Sequence, residues 1–383
     1  MKRHEYDYII AGAGLAGLAL ATSLIDNNAR KKIALIDSRL EYKRDHIWSC
    51  WNNVNGAPPL PFDYSWNKWQ VRSKSKTSTC NTERYPYISV LAESYYKRAV
   101  EKIEKSEGID LFLDESIRGE DFESDGVTVD TSKRRLTASL LFDSRPPRID
   151  SQQLQQDFFG IIVKSVEKKF DPNCVTLMDF SELQSKKRGF HFFYILPFTE
   201  YEALVESVFI GFERLSQEEH RLQIIRHLEQ KFELRIFDET HVEHGLIAMH
   251  RTTESPAHKR HYLIGARAGL IRPSTGYGFA SIHRFSNELA KLLKNEDFPE
   301  VPLTYTRKSK LLDAVLLLFL KERISEGPMI FSSLFKSVEP DALVRFLCDA
   351  SSPMDDSKVL AAMPGKIKLG SIMASLLRTD DFR

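Results

Sequence analysis

Tyr6 to Asp37 reads YDYIIAGAGLAGLALATSLIDNNARKKIALID, and the rest of the chain is best read outward from it. Tyr8-Ile9-Ile10 is a short apolar run with strand character, and Gly12-Ala13-Gly14-Leu15-Ala16-Gly17 follows at once. Leu18 to Leu24 then carries alanine and leucine at helical spacing, and a second apolar run, Ile33-Ala34-Leu35-Ile36, ends in Asp37. Strand, glycines, helix, strand and terminal acid, in that order, are the fingerprint of a βαβ unit that binds the ADP half of a dinucleotide. Gly12 permits the tight turn, Gly14 lets the backbone approach a pyrophosphate, and Gly17 lets helix and strand pack closely. The helix N-terminus at residues 14 to 17 offers free N–H groups and a positive dipole end. Asp37, roughly 20 residues beyond Gly17, is placed to accept hydrogen bonds from a ribose. An acid there favours FAD or NAD over NADP, while Arg39 keeps NADP open.

The chain has 383 residues, enough for two domains or for one dinucleotide fold with a large insertion. A formal net charge of +1 gives no global pull towards nucleic acid. Cys50, Cys80, Cys174 and Cys348 are scattered with no CxxC pair, so neither a metal site nor a disulfide framework is expected. The opening residues are charged and polar, which argues against a signal peptide. The apolar run Ala314 to Leu320 is far short of the roughly 20 residues needed to span a bilayer, so a soluble or peripheral protein is expected.

Beyond Asp37, residues 38–55 read as a polar and aromatic loop holding Asp45-His46-Ile47-Trp48-Ser49, and loops after the second strand of such folds often line a cavity. The prolines at 58, 59 and 61 mark a turn, and Trp66, Trp69 and Val71 suggest strands outside the nucleotide unit. Leu91, Tyr95, Ala99 and Ile103 form the stripe of an amphipathic helix. Short strands follow at Ile109 to Leu113, Gly126 to Val129 and Leu140 to Asp143. From Gln152 to about Met249 longer alternating segments, at 156–166, 175–180, 189–197 and 201–212, indicate an antiparallel sheet with one face buried. Ser216 to Phe232 interrupts it as a helix, capped by Ser216 with Glu218 and Glu219 in its first turn.

A second glycine-rich signal runs from His261 to Gly278, where Tyr262-Leu263-Ile264 leads into Gly265, Gly269, Pro273, Thr275 and Gly276 ahead of a helix from Ala280 to Leu293. Backbone N–H groups of such a turn can cradle a phosphate or a ring carbonyl oxygen, although a plain strand-turn-helix connector has the same pattern. Beyond Pro302 helices are expected at 311–320, 329–335 and 367–377. Arg307, Lys308, Lys310, Lys321 and Arg323 flank the first, which suits either a membrane-surface contact or a buried helical cap.

Several of these segments in order resemble the flavin-dependent lycopene cyclase family, in its bacterial β-cyclase branch. Gly12 to Leu18 comes first, and His46-Ile47-Trp48-Ser49 looks like the family's His-Thr-Trp-Ser. Gln156 to Gly160, Leu177 to Phe180 and Phe193 to Pro197 resemble three further signatures, and Ala203-Leu204-Val205-Glu206 is similar to the acid motif whose glutamate is catalytic. Gly265 to Tyr277 matches the second flavin motif. Aromatic hydroxylases of similar layout carry Gly-Asp-Ala there, whereas here Ala266 and Arg267 follow Gly265. Where the family usually has a second acid, this chain has Ser207.

The resemblance implies an α/β fold: a Rossmann-type FAD-binding domain with an inserted antiparallel-sheet substrate domain and a helical C-terminal region. The expected division is 1–50 with 90–150 and 255–300 for FAD, 51–89 with 151–254 for substrate, and 301–383 for the helices. It implies cyclisation of lycopene or another linear carotene to β-carotene through a one-ringed intermediate, on reduced FAD supplied by NADPH or NADH, with no metal and no nucleic acid. FAD would be held by Gly12, Gly14, Gly17, Asp37, Gly265, Gly269, Pro273, Thr275 and Gly276. Glu206 is the best candidate for a carboxylic acid kept protonated in an apolar site, since Leu204-Val205 and Val208-Phe209 flank it. Asp179 is a second candidate, for orientation or as proton acceptor, and Glu239 and Glu243 are weaker ones. His46, Trp48, Tyr194 and Tyr277 are candidate substrate contacts, with Phe193 also near the motifs. The alternative reactions are those of an FAD and NAD(P)H-dependent monooxygenase or a prenyl or carotenoid reductase, and a carotenoid-binding flavoprotein without activity is a third possibility. The expected location is cytoplasmic, peripherally associated with the inner face of the cell membrane.

Overall fold

The computed structural model describes residues 4–54, 59–74, 76–181, 188–251 and 254–363. The chain opens with β1 (Tyr6–Ala11), α1 (Leu15–Asp26) and β2 (Ile33–Ile36). Next come β3 (Ile47–Trp51), β4 (Tyr64–Trp66), β5 (Lys68–Arg72), β6 (Thr77–Asn81) and β7 (Tyr87–Leu91), then α2 (Ala92–Glu104) and β8 (Ile109–Phe112). A meander of β9 (Ile117–Phe122), β10 (Val127–Thr131) and β11 (Arg135–Asp143) follows. Long strands β12 (Gln155–Lys164), β13 (Cys174–Asp179), β14 (Gly189–Pro197) and β15 (Glu202–Gly211) lead to α3 (Gln217–Phe232). β16 (Asp238–Ala248), β17 (His261–Leu263) and α4 (Phe279–Asn295) precede α5 (Arg307–Glu322), α6 (Gly327–Ser337), α7 (Pro340–Leu347) and α8 (Pro353–Ala362). The helix expected at 367–377 lies outside the described residues.

The nucleotide sheet has the order β8-β2-β1-β11-β10-β9, with β17 also pairing β11. Its β8, β2, β1, β11 and β17 are mutually parallel. Parallel strands are covered on both faces and read as continuous apolar runs, as Ile33 to Ile36 does. One face packs on α1, α2 and α4 through Leu18, Leu24, Ala99, Phe285 and Leu289, and the other on the meander. β11 serves both halves, because its first residues pair with β10 and its last with β1 and β17.

The larger sheet runs β16-β12-β15-β14-β13-β5-β6. It is antiparallel apart from one parallel pair, β13 with β5, where the segment before α2 joins the strands after residue 151. One face is covered by α3, whose His220, Ile224, His227 and Leu228 recur at helical spacing and are buried. The reciprocal capping box of Ser216 and Glu219 starts that helix, a device worth roughly 1 kcal/mol. The opposite face packs on α5, α6 and α7 and on the third sheet, β3-β7-β4.

One local reading is corrected. Residues 47–51 are not loop but β3, because Ile47, Ser49 and Trp51 pair in register with Leu91, Ser89 and Tyr87 of β7. The strand β16, too polar to stand out by its pattern, forms the edge of the large sheet.

Candidate active site

The first half of the site is the α1 N-terminus. Gly12 turns the chain with φ +95°, in the region that favours glycine. A side-chain carbon on Gly17 would lie 1.9 Å from the Gly12 carbonyl oxygen, so only glycine lets helix and turn approach. Gly14 caps α1 without a side-chain hydrogen bond, and no acid occupies the first turn. The helix therefore keeps its positive end for an anion. Asp37 lies at the end of β2, where Oδ2 accepts from the Ala13 N–H at 2.6 Å and Oδ1 from the Arg39 N–H at 2.8 Å. The Arg39 guanidinium is 3.3 Å from the same carboxylate and lies over Tyr42 and Tyr96.

The second glycine-rich segment folds back onto this turn. Gly265, at φ +64°, sits so close to α1 that an added Cβ would be 2.6 Å from the Ala16 Cβ. Residues Gly265–Ala268 form one turn of 3-10 helix that ends on Gly269 at φ +73°. Arg267 stands where the hydroxylases have an alanine, one residue past their acid, and reaches Asp143 and Glu254. The Arg145 and His261 side chains also meet Asp143, and these partners hold its carboxyl below the usual range despite burial. Pro273, Thr275 and Gly276 form a turn closed by the Gly276 N–H on the Arg272 carbonyl, 2.8 Å, and the Arg272 N–H on the Tyr277 carbonyl, 2.9 Å. The buried Arg272 side chain pairs with Asp313 of α5 at 2.8 Å and donates to the carbonyls of Phe346 and Leu347, which ties this turn to the C-terminal helices.

Gly276, with φ +74°, faces the large sheet, its Cβ position lying 3.2 Å from Ile247 and 3.4 Å from the Gln156 side chain. Four residues along β12 from Gln156, about 13 Å at strand rise, is Gly160. Gly160 pairs with Glu206 of β15 on one side and Glu243 of β16 on the other. Tyr194 of β14 is the next residue in that row. Glu206 is buried, and burial together with Glu243 pushes its carboxyl well above the ordinary range. Burial raises Glu243 to about 7, although the Ile47 N–H donates to its Oε2 at 2.8 Å. The Tyr194 and Tyr87 hydroxyls are 2.8 Å apart, and burial pushes both up. Tyr277 packs edge-on to Trp51 beside them.

The sequence candidates are thus brought together in part. Glu206, Tyr194 and Tyr277 share one wall, and His46 stands beside it through the Ile47 contact with Glu243. Trp48 points into the nucleotide domain instead, stacked on Phe279 and edge-on to Tyr95 and Tyr96. Asp179 lies apart from Glu206. It pairs in register with Phe193, which pairs with Ser207, and this row faces α3 on the opposite side of the sheet from Glu206. There Asp179 meets Arg72 at 3.7 Å and His227 at 4.0 Å. Glu239 pairs with Arg221 of α3. Gly160 and Tyr87 were not singled out by the sequence reading; an isolated glycine inside an apolar strand is the signal that points to a close approach there.

The arrangement matches known flavoproteins in fold. The chain superposes on a geranylgeranyl bacteriochlorophyll reductase-like protein from Thermoplasma acidophilum with a TM-score of 0.65 at 14% identity, over 96% of this chain and 99% of that one. A flavoprotein/dehydrogenase from Cytophaga hutchinsonii gives 0.65 at 12% identity, over 97% and 99%. The halogenase PltM, in a complex with phloroglucinol and FAD, gives 0.53 at 11% identity, over 89% and 78%. No curated protein matches in sequence. The molecule therefore has the Rossmann-like fold of FAD-binding flavoproteins. Within that class a family model described as lycopene cyclase protein matches residues 7–371, and the chain belongs to the lycopene cyclase family.

Proposed function

We propose that this protein is an FAD-dependent lycopene β-cyclase, closing the ψ-ends of lycopene or another linear carotene to β-rings by way of γ-carotene. The carrying observation is Glu206, a buried carboxyl that has no Lys or Arg partner among the described residues and is pushed strongly towards its protonated form. Glu206 gives its proton to an end-group alkene, the neighbouring double bond attacks the cation, and loss of a ring proton leaves the new double bond. Electrons balance without net redox. The apolar side chains of Leu204, Val208, Phe158 and Phe192 on the same core exclude water from the cation. Tyr194 and Tyr277 offer ring faces to it.

The residues of both glycine-rich turns fit FAD: Gly12, Gly14, Gly17 and Asp37 for the ADP half, Gly265, Gly269, Pro273, Thr275 and Gly276 for the remainder. The close Gly17–Gly12 and Gly265–Ala16 approaches hold both turns tightly against α1, and the uncapped α1 N-terminus leaves its N–H groups for a phosphate. Reduced by NADPH or NADH, a bound flavin supplies an electron-rich face that stabilises positive charge. Among the described residues no helix is long and apolar enough to cross a membrane. Exposed Val301, Leu303 and Met329, in the region of the basic ends of α5, support peripheral contact with the cytoplasmic face of a membrane, where an apolar substrate resides.

Anaerobic incubation with lycopene, FAD and NADPH, read by product chromatography, tests the reading. The expected products carry β-rings, with no stoichiometric NADPH oxidation. Products two hydrogens heavier mark a reductase, oxygen uptake in air marks a monooxygenase, and an unchanged polyene marks a binding protein.

A further inference from the structure

We propose that Glu206 and Glu243 form an acid–carboxylate pair that holds a single proton across Gly160, with Glu243 as the positioning residue that keeps this proton on Glu206 and helps recover it after turnover. The proposal rests on Glu206 as the acid of the preceding reading. Its geometric basis is the register β16-β12-β15, in which the two glutamates flank one residue of the middle strand on the same face. That residue has no side chain. A Cβ on Gly160 would lie 2.8 Å from Glu206 Cγ and 3.3 Å from its Oε1, so the Glu206 side chain leans over the glycine. Gly160 has no positive φ, so the backbone does not call for glycine there; the space above it does.

Glu243 supplies the second observation. Its Oε2 is occupied by the Ile47 N–H, while its Oε1 is buried with no hydrogen bond of standard geometry among the described residues. A buried acceptor left without a donor is costly, and a protonated Glu206 supplies the donor. No Lys or Arg forms an ion pair with either carboxyl among the described residues. The groups facing the pair are Tyr194 from β14, His241 from β16 at 3.7 Å from Glu243, and Asp45 and His46 from the segment before β3. Arg39, Arg44 and His244 act on those histidines. Burial keeps His46 and His241 towards their neutral forms. Two neighbouring buried carboxylates cannot both ionise cheaply, and one proton between them resolves the conflict.

The cycle balances. The Glu206 O–H breaks as the alkene carbon gains its C–H, and the neighbouring π pair becomes the ring C–C bond. The pair is then doubly anionic, and repulsion makes it a strong base. A ring C–H breaks, its electrons become the ring double bond, and the proton returns to the pair.

The test compares wild type, Glu206→Gln, Glu243→Gln, Glu243→Asp and Gly160→Ala, each checked for FAD absorbance and melting temperature. The Gln at 243 keeps an acceptor for the Ile47 N–H. Removing the like charge lets Glu206 ionise more readily, so the alkaline limb of kcat/KM should move down by about one pH unit or more, with kcat falling more than KM. Gly160→Ala, which keeps both carboxyls but separates them, should move it in the same direction, and Glu243→Asp should restore part of the shift. A second readout needs no turnover. The infrared band of the protonated carboxyl should be present at neutral pH in wild type, weakened and titrating through about 7 in Glu206→Gln, where buried Glu243 alone carries it, and lost at lower pH in Glu243→Gln. An unmoved alkaline limb and an unmoved infrared titration in Glu243→Gln overturn the pair while leaving the cyclase reading standing. The expected infrared behaviour in a protein that makes no β-rings leaves the pair standing and overturns the cyclase.

Discussion

Glu206 and Ser207 are neighbours in β15, yet alternation along the strand sends them to opposite faces of the large sheet, and the two faces treat polar groups differently. Beneath α3, Ser207 lies between two rings: the His191 ring and the His220 ring each sit 2.7 Å from its hydroxyl, and the His220 Nε2 stands 3.2 Å from Asp157 without a hydrogen bond of standard geometry. Asp179 on that face has Arg72 and His227. Across the sheet, Glu206 shares its row with a second carboxyl, Glu243, and with Tyr194, and no Lys or Arg forms an ion pair with it among the described residues. Polar groups that are matched hold a fold together, whereas an acid buried against a second acid is kept reactive at a cost in stability.

That contrast breaks most sharply on turnover. Glu206→Gln preserves volume and hydrogen bonding but removes the transferable proton, so turnover should fall by about 10²- to 10⁴-fold with the melting temperature little changed. Asp179→Asn on the other face should leave turnover per folded molecule within a factor of about two to three. Comparable losses from both, measured on lycopene conversion with matched FAD content, would erase the distinction between the faces.

Stability supplies the converse. Ser207→Ala removes the hydroxyl between two buried histidines and leaves ring nitrogens short of a partner, which costs about 1–3 kcal/mol. Urea unfolding should register that loss with the slope unchanged, while β-ring formation per folded molecule stays near wild type.

Much of this was legible in the sequence, and what was not has a physical reason. The nucleotide turn was readable because each glycine answers to a local requirement, visible as φ +95° at Gly12 and the 1.9 Å approach at Gly17. The α3 helix was readable from Ser216 and Glu219, since a capping box lies within four residues. Glu206 was singled out as the proposed acid through its apolar neighbours and the family likeness, and the structure buries it. The face on which Asp179 lies was not legible because a face is set by register, and β13 carries an irregularity between Thr176 and Asp179 that no periodic pattern reveals. Glu243 stayed faint because Asp238 to Glu243 is mostly charged or polar, and such an edge strand becomes recognisable only once β12 pairs with it. Its meeting with Glu206 depends on Gly160, 46 and 83 residues away from the two acids along the chain.

The smallest expected effect is the most diagnostic, because the two faces should titrate in opposite directions. Burial raises Glu243 from 4.5 to about 7, so the folded protein binds a proton there that the unfolded chain releases; the stability involved is present below about pH 4.5 and is lost as pH rises through about 7. Glu206, also raised, adds to that alkaline loss. Burial against Phe193 and α3 lowers His227 from 6.5 to about 4, despite the opposing pull of Asp179, so the unfolded chain binds the proton first. Stability from neutral His227 is present above about pH 6.5 and is lost as pH falls towards 4. One pH unit of displacement corresponds to about 1.4 kcal/mol, so each contribution is largest at its own extreme of pH and much smaller near neutrality. Melting temperatures from about pH 4 to 9 should therefore show Glu243→Gln flattening only the alkaline decline and His227→Gln only the acid one. If either substitution flattens the wrong limb, the assignment of charge to that face of the sheet is wrong, and the reactive and structural faces exchange roles.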